Sequence, residues 1–147
     1  MTYRLAILLL GIFIITSCTT EQLIERREDR LIGSWEIDRA RYDADGLFNS
    51  SNITNEYRGD ELTFFENGEL EYIENNGEIF TGTWYIDAIR GGGEDDNTLF
   101  TLDADFYDID GFLVFRWLGD IDRLTFNNFN ISISDRDGEL RLRWDKK

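Results

Sequence analysis

Histidine and proline are absent from this chain, and cysteine and methionine occur once each. Without histidine, and with a single thiol, it holds no serine or cysteine triad, no histidine base and no histidine or multi-thiolate zinc site. Any catalysis would fall to carboxylates, tyrosine or lysine. No constellation of acid, base and positioned donor stands out among those, so a non-enzymatic protein is expected. One cysteine also forbids an internal disulfide. The lack of proline removes the usual interruption of strand pairing, and long continuous ladders are allowed. Positive charge is scarce too, with 15 basic residues against 30 acidic ones. Such a surface repels phosphate backbones, which argues against nucleic acid, and keeps the protein solvated.

Long apolar runs are confined to one stretch. Arg4, the run Leu5 to Ile15 and the small residues Thr16-Ser17 before Cys18 have the three-part layout of a secretory leader. As helix the run spans roughly 16 Å, against about 30 Å of hydrocarbon, which is too short to cross a bilayer. Ile15-Thr16-Ser17-Cys18 resembles the bacterial lipobox. The resemblance implies cleavage after residue 17 and acylation of Cys18, leaving the protein tethered to the membrane of the bacterial cell envelope, with the outer membrane the expected address. With Arg4 removed, 14 basic residues face 30 acidic ones and the mature net charge is −16. The segment 18–30 reads as a lipidated tether or short helix, with Leu23, Ile24 and Leu31 at roughly helical spacing. Residues 31–147 are about one domain, large enough to bury a core without staples. A monomer is expected.

Period-two patterning dominates this domain. Strands are expected at Leu31–Tyr42, Glu61–Glu66, Glu69–Glu74, Ile79–Asp87, Thr98–Asp103, Phe112–Leu118, Phe129–Ser134 and Glu139–Trp144. In the first, apolar Trp35 and Ile37 alternate with Ser34, Glu36 and Asp38, and Gly33 leaves room for close backbone approach. Asp45-Gly46, Asn67-Gly68, Asn76-Gly77, Asp110-Gly111 and Asp137-Gly138 punctuate the chain as tight turns. Phe112 to Leu118 is apolar on both faces, which implies a strand covered on its outer side or packed under a loop. Short strands, tight turns and no intervening helix favour an all-β fold, an antiparallel up-and-down eight-stranded barrel, with a sandwich as the alternative.

The ordered series Leu31-Ile32-Gly33-Ser34-Trp35, then Leu62-Thr63-Phe64-Phe65-Glu66-Asn67-Gly68, then Gly82-Thr83-Trp84-Tyr85-Ile86, resembles the lipocalins, and more closely the lipocalin-like domains of bacterial surface lipoproteins. The resemblance covers about residues 31 to 145. It implies a calyx that carries one small apolar or amphiphilic molecule, a first loop acting as a lid with Leu47 and Phe48 over the mouth, and an arginine of the last strand, Arg143 or Arg141, lying across Trp35. Alternation with Leu140, Leu142 and Trp144 turns both arginines outward unless the strand end is irregular. Phe64, Tyr72, Trp84, Phe100 and Phe129 are the candidate ligand contacts, together with Phe80 and Trp144 as inward rings. An eight-stranded barrel is just wide enough to be filled by side chains or to hold one small ligand, and rings in such number serve first as core.

The acidic loops repeat. Asp43-Ala44-Asp45-Gly46, Asp108-Ile109-Asp110-Gly111 and Asp135-Arg136-Asp137-Gly138 share one pattern, and strand parity places all three at the same end of a barrel, opposite the tether. Asp43, Asp45, Asp108, Asp110, Asp135 and Asp137 are thus candidate ligands for a hard cation such as calcium, although no loop completes a calcium-binding pattern and Asp-Gly closes turns without one. No other cofactor is implied. The long connection from Asp43 to Asp60 is a functional or mobile loop by its length. Two functions follow: a membrane-anchored carrier of a small apolar molecule, or a surface or periplasmic interaction protein with a filled barrel and an acidic rim.

Overall fold

The computed structural model describes residues 19–44, 50–90 and 98–147. Helix α1 (Thr19–Leu31) leads into β1 (Gly33–Ala44). There follow a short strand β2 (Ser50–Asn52) and a single helical turn α2 (Thr54–Tyr57). Seven further strands complete the chain: β3 (Glu61–Phe64), β4 (Glu69–Ile73), β5 (Ile79–Arg90), β6 (Thr98–Tyr107), β7 (Leu113–Leu124), β8 (Asn128–Ser134) and β9 (Gly138–Lys146). All pairings are antiparallel. β3 to β9 follow one another as neighbours, and β1 pairs with both β3 and β9, closing an eight-stranded barrel to which β2 is an appendage. The expected fold class is the observed one.

Several boundaries differ from expectation, each for a physical reason. Leu31 ends α1 instead of opening the first strand; it is fully buried, and its carbonyl accepts the Trp35 indole N–H at 2.7 Å. β7 continues through Gly119 to Leu124, a stretch whose acidic residues read as loop, with Ile121 and Leu124 turned inward. Gly119 permits this, because a Cβ there would stand 2.8 Å from Ile131, Ile133 and the Ser132 carbonyl of β8. The long connection after β1 is not all loop: β2 pairs with Arg41 to Asp43, and the Thr54 hydroxyl joins the backbone of Ala40.

A register shift between Ile37 and Arg39 lets β1 turn Trp35, Ile37 and then Ala40 inward, and leaves Asp38 facing out to Arg143 at 3.1 Å. The core is a continuous set of ring contacts. Trp35 meets the edge of Phe129 at 4.9 Å, Phe129 stacks on Trp144 and touches Phe64, and Phe64 meets Trp84 at 5.1 Å. An upper layer of Tyr72, Phe80, Phe106, Phe115 and Trp117 joins it through Trp144.

α1 covers the lower end. Its Arg27 guanidinium lies 3.7 Å from the centre of the Phe100 ring. The Lys146 ammonium sits 4.2 Å from the Trp35 ring centre while donating to the Ile32 carbonyl. The arginine expected across Trp35 is therefore a lysine. Arg143 and Arg141 point outward, and Lys146 is the β9 residue whose parity matches Leu142 and Trp144. Gly33 belongs to the same lock: it adopts φ +120°, and a Cβ would meet Lys146 Nζ at 2.7 Å. Among the described residues no helix is long and apolar enough to cross a membrane.

Candidate functional site

Strand alternation carries the turns at 74–78, 108–112 and 135–137, and the upper end of β1, to the end of the barrel opposite α1. Around this mouth the strands are unequal in height. β3 and β4 are short, whereas β7 rises above β8, whose pairing with it begins only at Gly119 with Ile133.

Between these two sides lies an open hollow of about 320 Å³. Tyr57 of α2 and Tyr72 of β4 form one wall, Phe115 and Trp117 of β7 the other, with Glu74 and Arg116 at the margin. That volume is at the small end of the range for small-molecule pockets, and four of the six lining residues are aromatic. A larger hollow of about 790 Å³ lies outside the barrel wall, between the outward residues of β4 and β5 and the β6–β7 turn, and includes Phe65, Ile79 and Ile109.

The wall at Tyr72 is held by a buried carboxylate. Asp60 is 2% exposed; it accepts the Tyr72 hydroxyl and, at 2.9 Å, the Asn75 backbone N–H. Burial raises the Asp60 pKa above the ordinary aspartate value despite these two bonds. Burial, with the Asp60 bond second, pushes the Tyr72 phenol well up, so it stays a donor at every working pH. Tyr57 is raised by burial as well. Asp60 belongs to an Arg-Gly-Asp triplet, and its burial removes the carboxylate from any displayed adhesion motif. Beneath the hollow, the fully buried Trp144 ring packs on Tyr72 and Trp117, and its indole N–H has no acceptor among the described residues.

Of the candidate ligand contacts among the described residues, only Tyr72 lines this hollow. Phe64, Trp84 and Phe129 pack in the lower core near Trp35, and the Trp84 N–H is taken by the Glu69 carbonyl at 2.9 Å. Phe100 is buried under Arg27 at the covered end. Leu47, Phe48, Asp45 and Cys18 lie outside the described residues. Sequence reading passed over Tyr57, Phe115 and Trp117. Phe115 and Trp117 sit in a run apolar on both faces, where alternation gives no parity, and Tyr57 sits in a stretch read as loop. No described residue covers the outer face of that run: Phe112 before β7, and Val114 and Leu118 on it, are exposed, contrary to expectation.

The acidic turns at Asp108 and Asp135 share one end with Asp43 at the head of β1, as parity requires, but these three carboxylates are engaged locally. The Asp108 carboxylate accepts the N–H groups of Asp110 and Phe112, and that of Asp135 accepts those of Asp137 and Gly138. Asp43 is held by Ser50, Arg41 and Arg141, and the Ser50 bond is the main cause of its lowered pKa. Asp110 and Asp137 are exposed in their turns. Among the described residues no three acidic side chains gather as a metal site. Against this geometry, no family model, no curated protein and no solved structure matches the chain.

Proposed function

We propose that the protein is a lipid-anchored lipoprotein of the bacterial cell envelope, lipocalin-like in kind, whose barrel mouth binds one small apolar or amphiphilic molecule. The observation that carries this reading is the open hollow of about 320 Å³ walled by Tyr57, Tyr72, Phe115 and Trp117 above a ring-filled core. The ligand lies across the mouth, since Trp35, Phe64, Phe129 and Trp144 occupy the interior below it. Its apolar body rests on the four rings, and a polar end reaches Glu74 or Arg116 at the margin. Acylation of Cys18, supported by the lipobox spacing, attaches the chain beside α1, so the mouth faces away from the membrane. The outer membrane is the proposed address, and the working unit is a monomer that binds without catalysis.

A neutral naphthylamine dye that brightens in apolar surroundings tests the site. Tyr57→Ala removes a half-buried wall residue outside the main core, and is expected to weaken dye binding about tenfold with little change in unfolding midpoint. Phe126→Ala, an exposed ring at the covered end, is expected to change nothing. Failure of the wild-type protein to bind the dye, or equal binding by Tyr57→Ala, would overturn the reading.

A further inference from the structure

The rise of β7 above β8 leaves part of the barrel wall with only one neighbour. From Leu113 to Leu118 β7 pairs with β6, and among the described residues no strand pairs with its other side. We infer that this free edge of β7, residues 113–118, is a strand-addition site that takes an extended, basic and apolar segment of a partner protein. The inference goes beyond ligand binding in the hollow, because the partner is held by backbone and by the outer face of β7.

Three observations carry it. The edge is about 20 Å long at some 3.4 Å per residue, the length of an ordinary strand, and presents alternate N–H and C=O groups for an added one. It also lacks the usual guards. Natural edges are blunted by lysine, proline or inward charge. Here the outward side chains flanking the edge are Phe112, Val114 and Leu118, each at least half exposed. The one charge within it, Arg116, is drawn back toward β6, donating to Asp103 at 2.7 Å through Nε and lying 3.3 Å from Asp105.

The third observation is charge. Glu74 across the hollow, Asp110 above, Asp120 below, and Asp135 and Asp137 on the next turn outnumber Arg136 between those two, and Arg116, the one cation of the edge itself, is already paired. A second copy of this chain would bring the same carboxylates and a net −16 of its own, along with Arg116 facing Arg116 near the centre of an antiparallel pair. An extended segment alternating basic and apolar residues meets neither penalty: with its apolar side chains on the outer face beside Val114 and Leu118, alternation turns its cations to the hollow side, toward Glu74.

The test uses the purified protein and a fluorescein-labelled heptapeptide of alternating lysine and valine. Anisotropy is expected to rise with micromolar peptide. The glutamate–valine counterpart is expected to bind at least tenfold more weakly, and so is the lysine–valine peptide with every amide N-methylated. Hydrogen exchange should slow selectively within residues 113–118 when the unmodified peptide is present. Equal binding by the N-methylated peptide would reduce the effect to charge attraction and overturn the inference. So would an absence of binding, or protection confined to another strand. A wild-type dimer in sedimentation, with the same amides protected, would give the edge to a second copy and refute the basic partner.

Discussion

Replacing Trp35 by alanine is the sharpest probe of how the barrel is closed. The side chain is wholly buried, meets the Phe129 ring at 4.9 Å, donates 2.7 Å to the Leu31 carbonyl and lies under the Lys146 ammonium at 4.2 Å. Truncating a buried large aromatic costs about 3–5 kcal/mol. The orphaned Leu31 carbonyl, one of the last of α1, places the expected loss toward the upper end of that range. Trp35→Phe separates the contributions: it keeps most of the ring and loses the indole donor, for about 1–2 kcal/mol. Lys146→Met tests the stacking, with an expected coupling to Trp35→Phe of about 0.5–2 kcal/mol in a double-mutant cycle. Guanidinium chloride unfolding followed by far-ultraviolet circular dichroism measures all three. A loss below about 1 kcal/mol for Trp35→Ala would refute the argument that β1 and α1 are locked through this ring.

Cys18→Ser is expected to move the protein from the membrane fraction to the soluble one; unchanged retention would sink the lipid anchor. Calcium chloride and sodium chloride at matched ionic strength are expected to raise the melting temperature equally, by screening the acidic turns. An excess for calcium that Asp108→Asn with Asp110→Asn abolishes would instead show carboxylates gathering round the ion. Asp60 has a raised folded-state pKa, so the folded protein holds its proton more tightly than the unfolded chain does. Its contribution to stability is therefore greatest below about pH 3.9 and is lost as pH rises through the folded value. Asp60→Asn should accordingly be better tolerated, relative to wild type, at neutral pH than near pH 4. Paired unfolding curves at the two pH values check this, and a difference of the opposite sign would contradict it.

Much of the fold was legible from local chemistry. Alternation in Phe80-Thr81-Gly82-Thr83-Trp84-Tyr85-Ile86 and in Phe129-Asn130-Ile131 marks buried faces because a strand's side chains have period two. The Asn-Gly and Asp-Gly dipeptides marked turns because Gly68, Gly77 and Gly111 need positive φ there. Parity then placed the acidic turns at one end with no further information. Legibility failed where both faces of a strand carry the same kind of residue. In Phe112 to Leu118 that pattern concealed which rings face the hollow and suggested a cover that the described residues do not supply.

Composition and local pattern by themselves determined the all-β class, the strand and turn order, the acidic exposed surface and the absence of histidine chemistry, since each depends on a residue's type and its near neighbours. Tertiary structure alone decided three things. It set Lys146 over Trp35, since the β1–β9 register is fixed only on closure. It buried Asp60 against Tyr72, twelve positions away, where sequence offered only a chance triplet. It left β7 taller than β8, because strand stagger in a closed barrel depends on every pairing at once, and so created both the aromatic hollow and the free edge beside it.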